Sequence, residues 1–531
     1  MTKRRFYVTT AIPYVNARPH LGFALEIVQA DVLARHARRR GAPVRFLTGT
    51  DDNSLKNVQA AEAEGVAVGE LVDRNAAAYA ALRDPLGLSF DDFIRTSSDP
   101  RHRTGVERLW RACQASGDLY RKQYQGLYCV GCEQFYAPAE LADGRCPEHG
   151  TTPQRVSEEN WFFRLSRYQR RMAELIESGV LRIEPASRRN EVLGFIAGGL
   201  EDFSVSRSAA RSRGWGICVP DDPEQVVYVW FDALANYLTA LGYGTDAPAY
   251  HRWWASGDRR AHVIGKGILR FHAIYWPALL LSAGVPLPTD ILVHDYLTVD
   301  GRKLSKSSGN VIDPVALTER FGTDPVRWWL LREVPRVGDA DFTVERLAAR
   351  GDEDFANGLG NLVNRVVSMV HRYRDGQTPG DLAAPAGAER LVAACRQAPG
   401  LVDEALEAAD FRRATAAVWA IVEEGNRYAE AVRPWELARA ERAGAPRERL
   451  DAALGVLVGA CRRLAEELAP FLPEASARIA AQCAAPSPEG SGTPGAAPAG
   501  RLPAPEPLFP RIGRSSPEPA AAASHQAAGA R

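Results

Sequence analysis

The sequence predicts an α/β protein built on a parallel sheet, interrupted by an insertion and followed by an α-helical bundle. Three observations carry this expectation. Apolar runs of strand length alternate with stretches of helical period over the first hundred residues and resume at Val226. Cysteines and turn residues break that alternation in between. From Asp341 to Cys483 apolar residues recur at three- and four-residue spacing, as in a bundle.

Taken in order, Phe6-Tyr-Val-Thr-Thr10 is β-branched and aromatic and reads as a buried strand. Ala11 to His20 is a loop, and Leu21 to Arg40 has helical period ending at Gly41-Ala-Pro43. Val44-Arg-Phe-Leu-Thr48 is the next strand, and Gly49 to Asn53 is its carboxyl turn. Strand, helix, strand makes a βαβ unit, and ligands of such sheets sit beyond the carboxyl ends of the strands. Tyr14, His20 and Asp51 are thereby expected in one crevice. Val226-Val-Tyr-Val-Trp230, Ala261-His-Val-Ile-Gly265 and Ile291-Leu-Val293 continue the strand pattern. The expected units are 1–114 and 229–340 for the sheet, 115–228 for the insertion, 341–483 for the bundle and 484–531 for a tail. That tail is rich in Pro, Ala and Gly and should be largely disordered, except where Leu508-Phe-Pro-Arg-Ile512 is apolar enough to dock back.

Composition narrows the class. Lys+Arg and Asp+Glu balance at 65 each, so no overall field announces a polyanionic partner, although a local basic face remains compatible. Eight cysteines in 531 residues are too sparse for a disulfide scaffold. The start has no apolar signal segment, and the most apolar run, Trp276 to Leu287, is too short to span a bilayer. A cytosolic protein without a membrane partner is expected.

Cys129-x2-Cys132-x13-Cys146-x2-His149 is the strongest metal signal. Its two close pairs fit tetrahedral Zn²⁺, and four protein ligands leave no open position, so such a site is structural. Lys303-Leu-Ser-Lys306-Ser-Ser-Gly309 places two ammonium groups on a small-residue loop suited to closing over a polyphosphate. An isolated Lys-x-x-Lys is more often a solvated turn. Pro19-His20-Leu-Gly22-Phe23 opens a helix whose free N–H groups and positive dipole end attract phosphate.

Together these two motifs resemble the paired signatures of class I aminoacyl-tRNA synthetases, and more specifically the methionyl-tRNA synthetases. The likeness extends through Ala11-Ile-Pro-Tyr-Val-Asn16, Phe46-Leu-Thr-Gly-Thr-Asp51, Gly198-Gly-Leu-Glu-Asp-Phe-Ser-Val-Ser-Arg207, Tyr228-Val-Trp-Phe-Asp-Ala233 and Arg270-Phe-His-Ala-Ile-Tyr-Trp-Pro-Ala278. It implies a Rossmann-like catalytic domain with a zinc-knuckle connective insertion, then an anticodon-binding bundle. The methionine pocket would be Ile12, Tyr14, Asp51, Trp230, Tyr237, Ile268 and His272. ATP, with Mg²⁺, would be held by His20, Gly22, Glu26, Gly265 and Lys306, and catalysis would fall to His20, Lys303 and Lys306. Asn361, Arg365 and Trp435 would read the anticodon of elongator and initiator methionine tRNA, with the enzyme a monomer.

The chain departs from the family at Phe23, where a second histidine is usual, at Asn53 in Asp51-Asp-Asn-Ser54, and at Gly267, where an acidic ribose contact is usual. All three are expected on the nucleotide side. Two rivals stay open: a tRNA-binding or regulatory paralogue with altered ATP chemistry, and a class I synthetase for another aliphatic amino acid. The roughly 110-residue insertion looks small for the editing module common in the latter.

Overall fold

The computed structural model of the chain describes residues 4–131, 134–136, 138–148, 150–303, 311–379, 384–484 and 500–509. The first strands are β1 (Phe6–Thr10), β2 (Val44–Thr50) and β3 (Asp92–Arg95), with helix α1 (Leu21–Arg39) between β1 and β2. The insertion follows with β4 (Leu119–Cys129), β5 (Gln134–Tyr136) and β6 (Gln154–Phe163). Next come β7 (Arg182–Glu184), β8 (Phe203–Ser204), β9 (Ser206–Ser208), β10 (Cys218–Val219) and β11 (Asp222–Val227). The chain returns to the main sheet at β12 (Arg259–Gly265) and β13 (Asp290–His294).

The main sheet has the order β3-β2-β1-β12-β13-β7, and every pair in it is parallel. Its strand order turns back between β1 and β12, which makes that gap the natural ligand crevice. The expected sheet domain is therefore present, with one difference. The stretch 115–228 is not a self-contained unit, because β7 from within it pairs with β13 at the sheet edge.

Both faces of the sheet are covered, as parallel strands require. Successive side chains of β1 go to opposite cores: Phe6 and Val8 to one, Tyr7 to the other. The first core continues through α1 into the helical bundle, whose long helices are Gly360–Arg374, Glu389–Glu407, Phe411–Val432 and Glu448–Leu468. The second takes in the helices Pro100–Ala115 and Val229–Thr239 together with the insertion's apolar face. Among the described residues no helix is long and apolar enough to cross a membrane.

A late segment, residues 500–509, lies back on the bundle. Leu502 N–H donates to Gly376 O at 2.8 Å, and Arg478 and Gln482 donate to Pro507 O and Glu506 O. Leu502 and Leu508 are buried, and Phe509 stacks on Phe355 at 4.7 Å. Docking by Leu508 and Phe509 agrees with the expectation from the sequence; Pro510, Arg511 and Ile512 lie outside the described residues.

Candidate active site

The loop after β1 and the loop after β2 meet above the sheet. Asp51 N–H donates to Pro13 O at 2.9 Å, and Tyr14 and Asp51 form an isolated parallel bridge. That backbone contact holds the buried Asp51 next to Tyr14. Trp230, near the start of the helix Val229–Thr239, meets Tyr14 edge-on at 6.4 Å and stacks flat on Phe271 at 3.8 Å. Its Nε1 is buried with no partner among the described residues. His272 lies 6.2 Å from Trp230.

His272 fixes the pocket's hydrogen-bond direction. Its Nδ1 lies 2.9 Å from Ile268 O, which can only accept, so Nδ1 carries the proton. Nε2 then accepts from the Tyr237 hydroxyl at 2.8 Å. Burial pushes His272 down to about 4, so it is neutral at physiological pH, and burial likewise raises Tyr237 well above its ordinary value. The result is a cluster of aromatic rings around a neutral imidazole, with the Lys56 ammonium 4.7 Å over the face of Tyr14. Of the expected methionine residues, Tyr14, Asp51, Trp230, Tyr237, Ile268 and His272 are thus joined by direct contacts, and Ile12 is half-buried on the same loop.

On the other side of the crevice, His20 caps α1, its Nδ1 accepting from Gly22 N–H at 3.1 Å. A Cβ on Gly22 would stand 2.9 Å from His20 Cε1, so the cap needs glycine. Glu26 is buried, taking Ala11 N–H on Oε1 at 2.8 Å with His294 Nε2 at 3.1 Å from Oε2. Gly265 ends β12 beside His294. The backbone of Lys303 closes a short antiparallel pair, Leu297–Val299 with Arg302–Lys303. Lys306 lies outside the described residues, as do the zinc-signal residues Cys132 and His149.

The departures have local explanations. Phe23 is a core side chain, edge-on to Tyr79 at 5.1 Å, and so faces away from the crevice into packed apolar surroundings. Asn53 is held between two carboxylates. Its N–H donates to Asp51 Oδ1 at 3.3 Å and its amide to Asp232 Oδ2 at 2.7 Å, which ties the loop after β2 to the helix carrying Trp230. Asp232 also bonds the buried His102. At Gly267 a Cβ would collide with the Tyr296 hydroxyl at 2.0 Å, so that tyrosine fills the space a larger residue would need. Lys266 spans from the Tyr296 ring, 4.6 Å away, to Asp339 at 2.6 Å.

Elsewhere, Cys129 and Cys146 are buried in a small cluster with Tyr136, separate from both main cores. Cys146 N–H donates to Thr151 O at 2.9 Å, and Gly150 N–H returns to Cys146 O at 2.8 Å. On the bundle, Asn361 is exposed, and Arg365 lies over the Trp435 ring at 4.8 Å while donating to Glu430 at 2.6 Å. Trp435 is half-buried rather than fully on the surface, because Arg433, at φ 48°, turns the new helix back over the bundle.

Sequence reasoning missed His294, Asp232, His102 and Tyr296. His294 alone left a signal, a polar residue closing the apolar run Ile291-Leu-Val293 at the sheet's carboxyl edge.

Comparison with known proteins agrees with this arrangement. The family described as tRNA synthetases class I (M) matches residues 6–156 and 136–367, and that described as the anticodon binding domain of methionyl tRNA ligase matches 379–512. A methionine–tRNA ligase of Brucella melitensis is 40% identical over 96% of this chain and 98% of its own. One from Rhizobium meliloti is 41% identical over 95% and 98%. The structure of Mycobacterium tuberculosis methionyl-tRNA synthetase in complex with methionyl-adenylate superposes with a TM-score of 0.89 at 39% identity, covering 96% of this chain and all of that one. The family match spans most of the chain and the relatives are covered almost end to end, so the chain belongs to the methionyl-tRNA synthetases, which join methionine to tRNA.

Proposed function

We propose that the aromatic slot takes the methionine side chain, with Asp51 on the substrate ammonium and Trp230, Tyr237, Ile268, Ile12 and His272 around the thioether. The observation that carries this reading is the backbone bridge that brings Asp51 and Tyr14 together next to the rings of Trp230, Tyr237 and the neutral His272. A thioether suits such walls, since sulfur–aromatic contacts are favourable and no buried charge is left unpaired. ATP then lies along the start of α1, with His20 and Gly22 at its phosphates and Gly265 beneath the nucleoside. Lys303 and Lys306 stabilise the leaving pyrophosphate. Bound Mg²⁺ adds charge neutralisation on the phosphates. A carboxylate oxygen of methionine attacks the α-phosphorus, the bond to the β-phosphate oxygen breaks and pyrophosphate departs. The terminal ribose hydroxyl of tRNA next attacks the acyl carbonyl, and AMP leaves. No side chain needs to become covalently attached; orientation and charge stabilisation suffice. The methionyl-adenylate held by the Mycobacterium tuberculosis neighbour supports this intermediate.

The test is amino-acid-dependent exchange of pyrophosphate into ATP. Exchange with methionine and not with leucine or valine is expected. Leucine- or valine-dependent exchange would overturn the pocket assignment, and no exchange at all would point to a paralogue without ATP chemistry.

The paired cysteines, together with Cys132 and His149, are assigned to one structural Zn²⁺. Cys129 and Cys146 fit that group, being buried side by side in a cluster too small to be a core of its own. Metal analysis should return about one zinc per chain, falling to near zero in Cys129→Ser. Low zinc that the substitution leaves unchanged would remove the assignment.

The bundle is assigned to the anticodon of elongator and initiator methionine tRNA, read by a monomer in the cytosol. Asn361 offers hydrogen bonds and Trp435 a stacking face, with Arg365 holding the indole from the other side. Stacking on an aromatic ring contributes about 1–3 kcal/mol per base. Trp435→Ala should thus slow aminoacylation about ten- to a hundredfold, while methionine-dependent pyrophosphate exchange stays nearly constant. Equal losses in both assays would make Trp435 a packing residue.

A further inference from the structure

Glu26 points from α1 into the protein and is only 6% exposed. Both of its carboxylate oxygens are engaged, one by Ala11 N–H at 2.8 Å and the other facing His294 Nε2 at 3.1 Å. His294 Nδ1 in turn lies 2.8 Å from the backbone carbonyl of Asp295. The carbonyl can only accept, so Nδ1 carries a proton, and Nε2 faces the Glu26 carboxyl. The Asp295 carboxylate does not compete for this ring, since Arg188 and Gly338 N–H take it.

The pair joins two loops that come from different strands. Ala11 leads directly into Ile12 and Tyr14 on the methionine side. His294 ends β13 and leads through Tyr296 into the strand pair that carries Lys303 on the nucleotide side. Between them, a Cβ on Gly265 would stand 3.5 Å from His294 Cε1, so that edge of the ring borders the end of β12.

We propose that Glu26 and His294 are a pair of positioning residues that set the methionine loop against the nucleotide loop, Glu26 acting through Ala11 and His294. The inference rests on reading this crevice as the methionine and ATP site. Wild-type exchange tests that reading by itself, so its failure is distinguishable from failure of the pair.

The experiment measures methionine binding by equilibrium dialysis without ATP, and the KM for ATP in the exchange assay, on the full chain. Glu26→Ala should weaken methionine binding about tenfold, the effect of freeing one charge-assisted hydrogen bond on the pocket loop. Glu26→Gln keeps an oxygen for Ala11 N–H, so methionine affinity should stay within about twofold while the KM for ATP rises about fivefold to tenfold. His294→Gln should give the same ATP effect, and the Glu26→Gln/His294→Gln double variant should be no worse than either alone. If Glu26→Ala fails to fold, the two glutamine variants still decide. Unchanged methionine binding in Glu26→Ala with a raised KM for ATP would make Glu26 a direct ATP ligand. Additive losses in the double variant would dissolve the pair. Either result overturns the proposal.

Discussion

Asp51→Asn should lower kcat/KM for methionine in pyrophosphate exchange by roughly 10² to 10³, the consequence of removing one partner of a desolvated charge pair at about 2–5 kcal/mol. The substitution keeps the size of the side chain and leaves an oxygen for Asn53 N–H, which donates to Asp51 Oδ1 at 3.3 Å. The backbone contacts that shape the loop, Asp51 N–H to Pro13 O and the Asn57 amide to Asp51 O, do not involve the carboxylate. Thermal stability and the KM for ATP should accordingly move little. The loss belongs to the substrate ammonium, which meets an amide where it needs an anion. A change smaller than about threefold, or an equal rise in the KM for ATP, would mean that the ammonium binds elsewhere.

The other large effect concerns stability. Arg327 is wholly buried and donates to Asp31 Oδ2 at 2.8 Å, Leu86 O and Phe471 O at 2.9 Å and Pro470 O at 3.1 Å. Those partners lie on α1, on the segment before β3 and at the end of the bundle helix Glu448–Leu468. One guanidinium therefore ties the substrate helix to the bundle. Arg327→Ala should cost about 3–5 kcal/mol, because it leaves a buried carboxylate and three carbonyls short of donors. Arg35 at 2.8 Å and Ser89 still hold Asp31, which places the cost within that range rather than above it. A variant with both charges replaced, Asp31→Leu/Arg327→Met, should recover much of the loss, since well-packed apolar groups replace buried ion pairs at little cost. Denaturant midpoints measure all three; a midpoint for Arg327→Ala equal to wild type would refute the tie.

The same pair makes stability acid-sensitive. Burial alone would push the Asp31 carboxyl up, but Arg327 and Arg35 more than offset it and hold the group below its ordinary value. A depressed native value means that this stabilisation is fully present above about pH 4 and fades as the pH falls through the native titration.

The outline of the fold was legible wherever one short stretch carries its own pattern. Phe6 to Thr10 and the run from Val44 alternate between two cores, and α1 ends where its glycine and proline predict. β7 was not legible, because Arg-Ile-Glu has no period and is a strand only through its pairing with β13. The site divides in the same way. Tyr14 and Asp51 could be placed together because each follows a recognisable strand. The contact of Asn53 with Asp232 was not legible, because the two lie 179 positions apart and no local spacing announces a contact of that range. His294 and Glu26, 268 positions apart, were hidden for the same reason. The half-buried setting of Trp435 was hidden too, because it follows left-handed backbone at Arg433, and such a turn at an arginine has no sequence signal.

The docked segment 500–509 gives the bundle a property of another kind. Thr378 N–H donates to Gly500 O at 3.1 Å, and residue 484 follows the helix Pro473–Gln482, so the stretch 485–499 joins two points that the fold already holds in place. Closing such a loop costs entropy that grows only with the logarithm of its length, about 0.6 kcal/mol for each doubling. A change in the number of residues between those two points therefore alters the closure entropy little. The ten residues beyond that stretch have no such freedom, because every drift there must still deliver two leucines and a phenylalanine to sockets on the bundle.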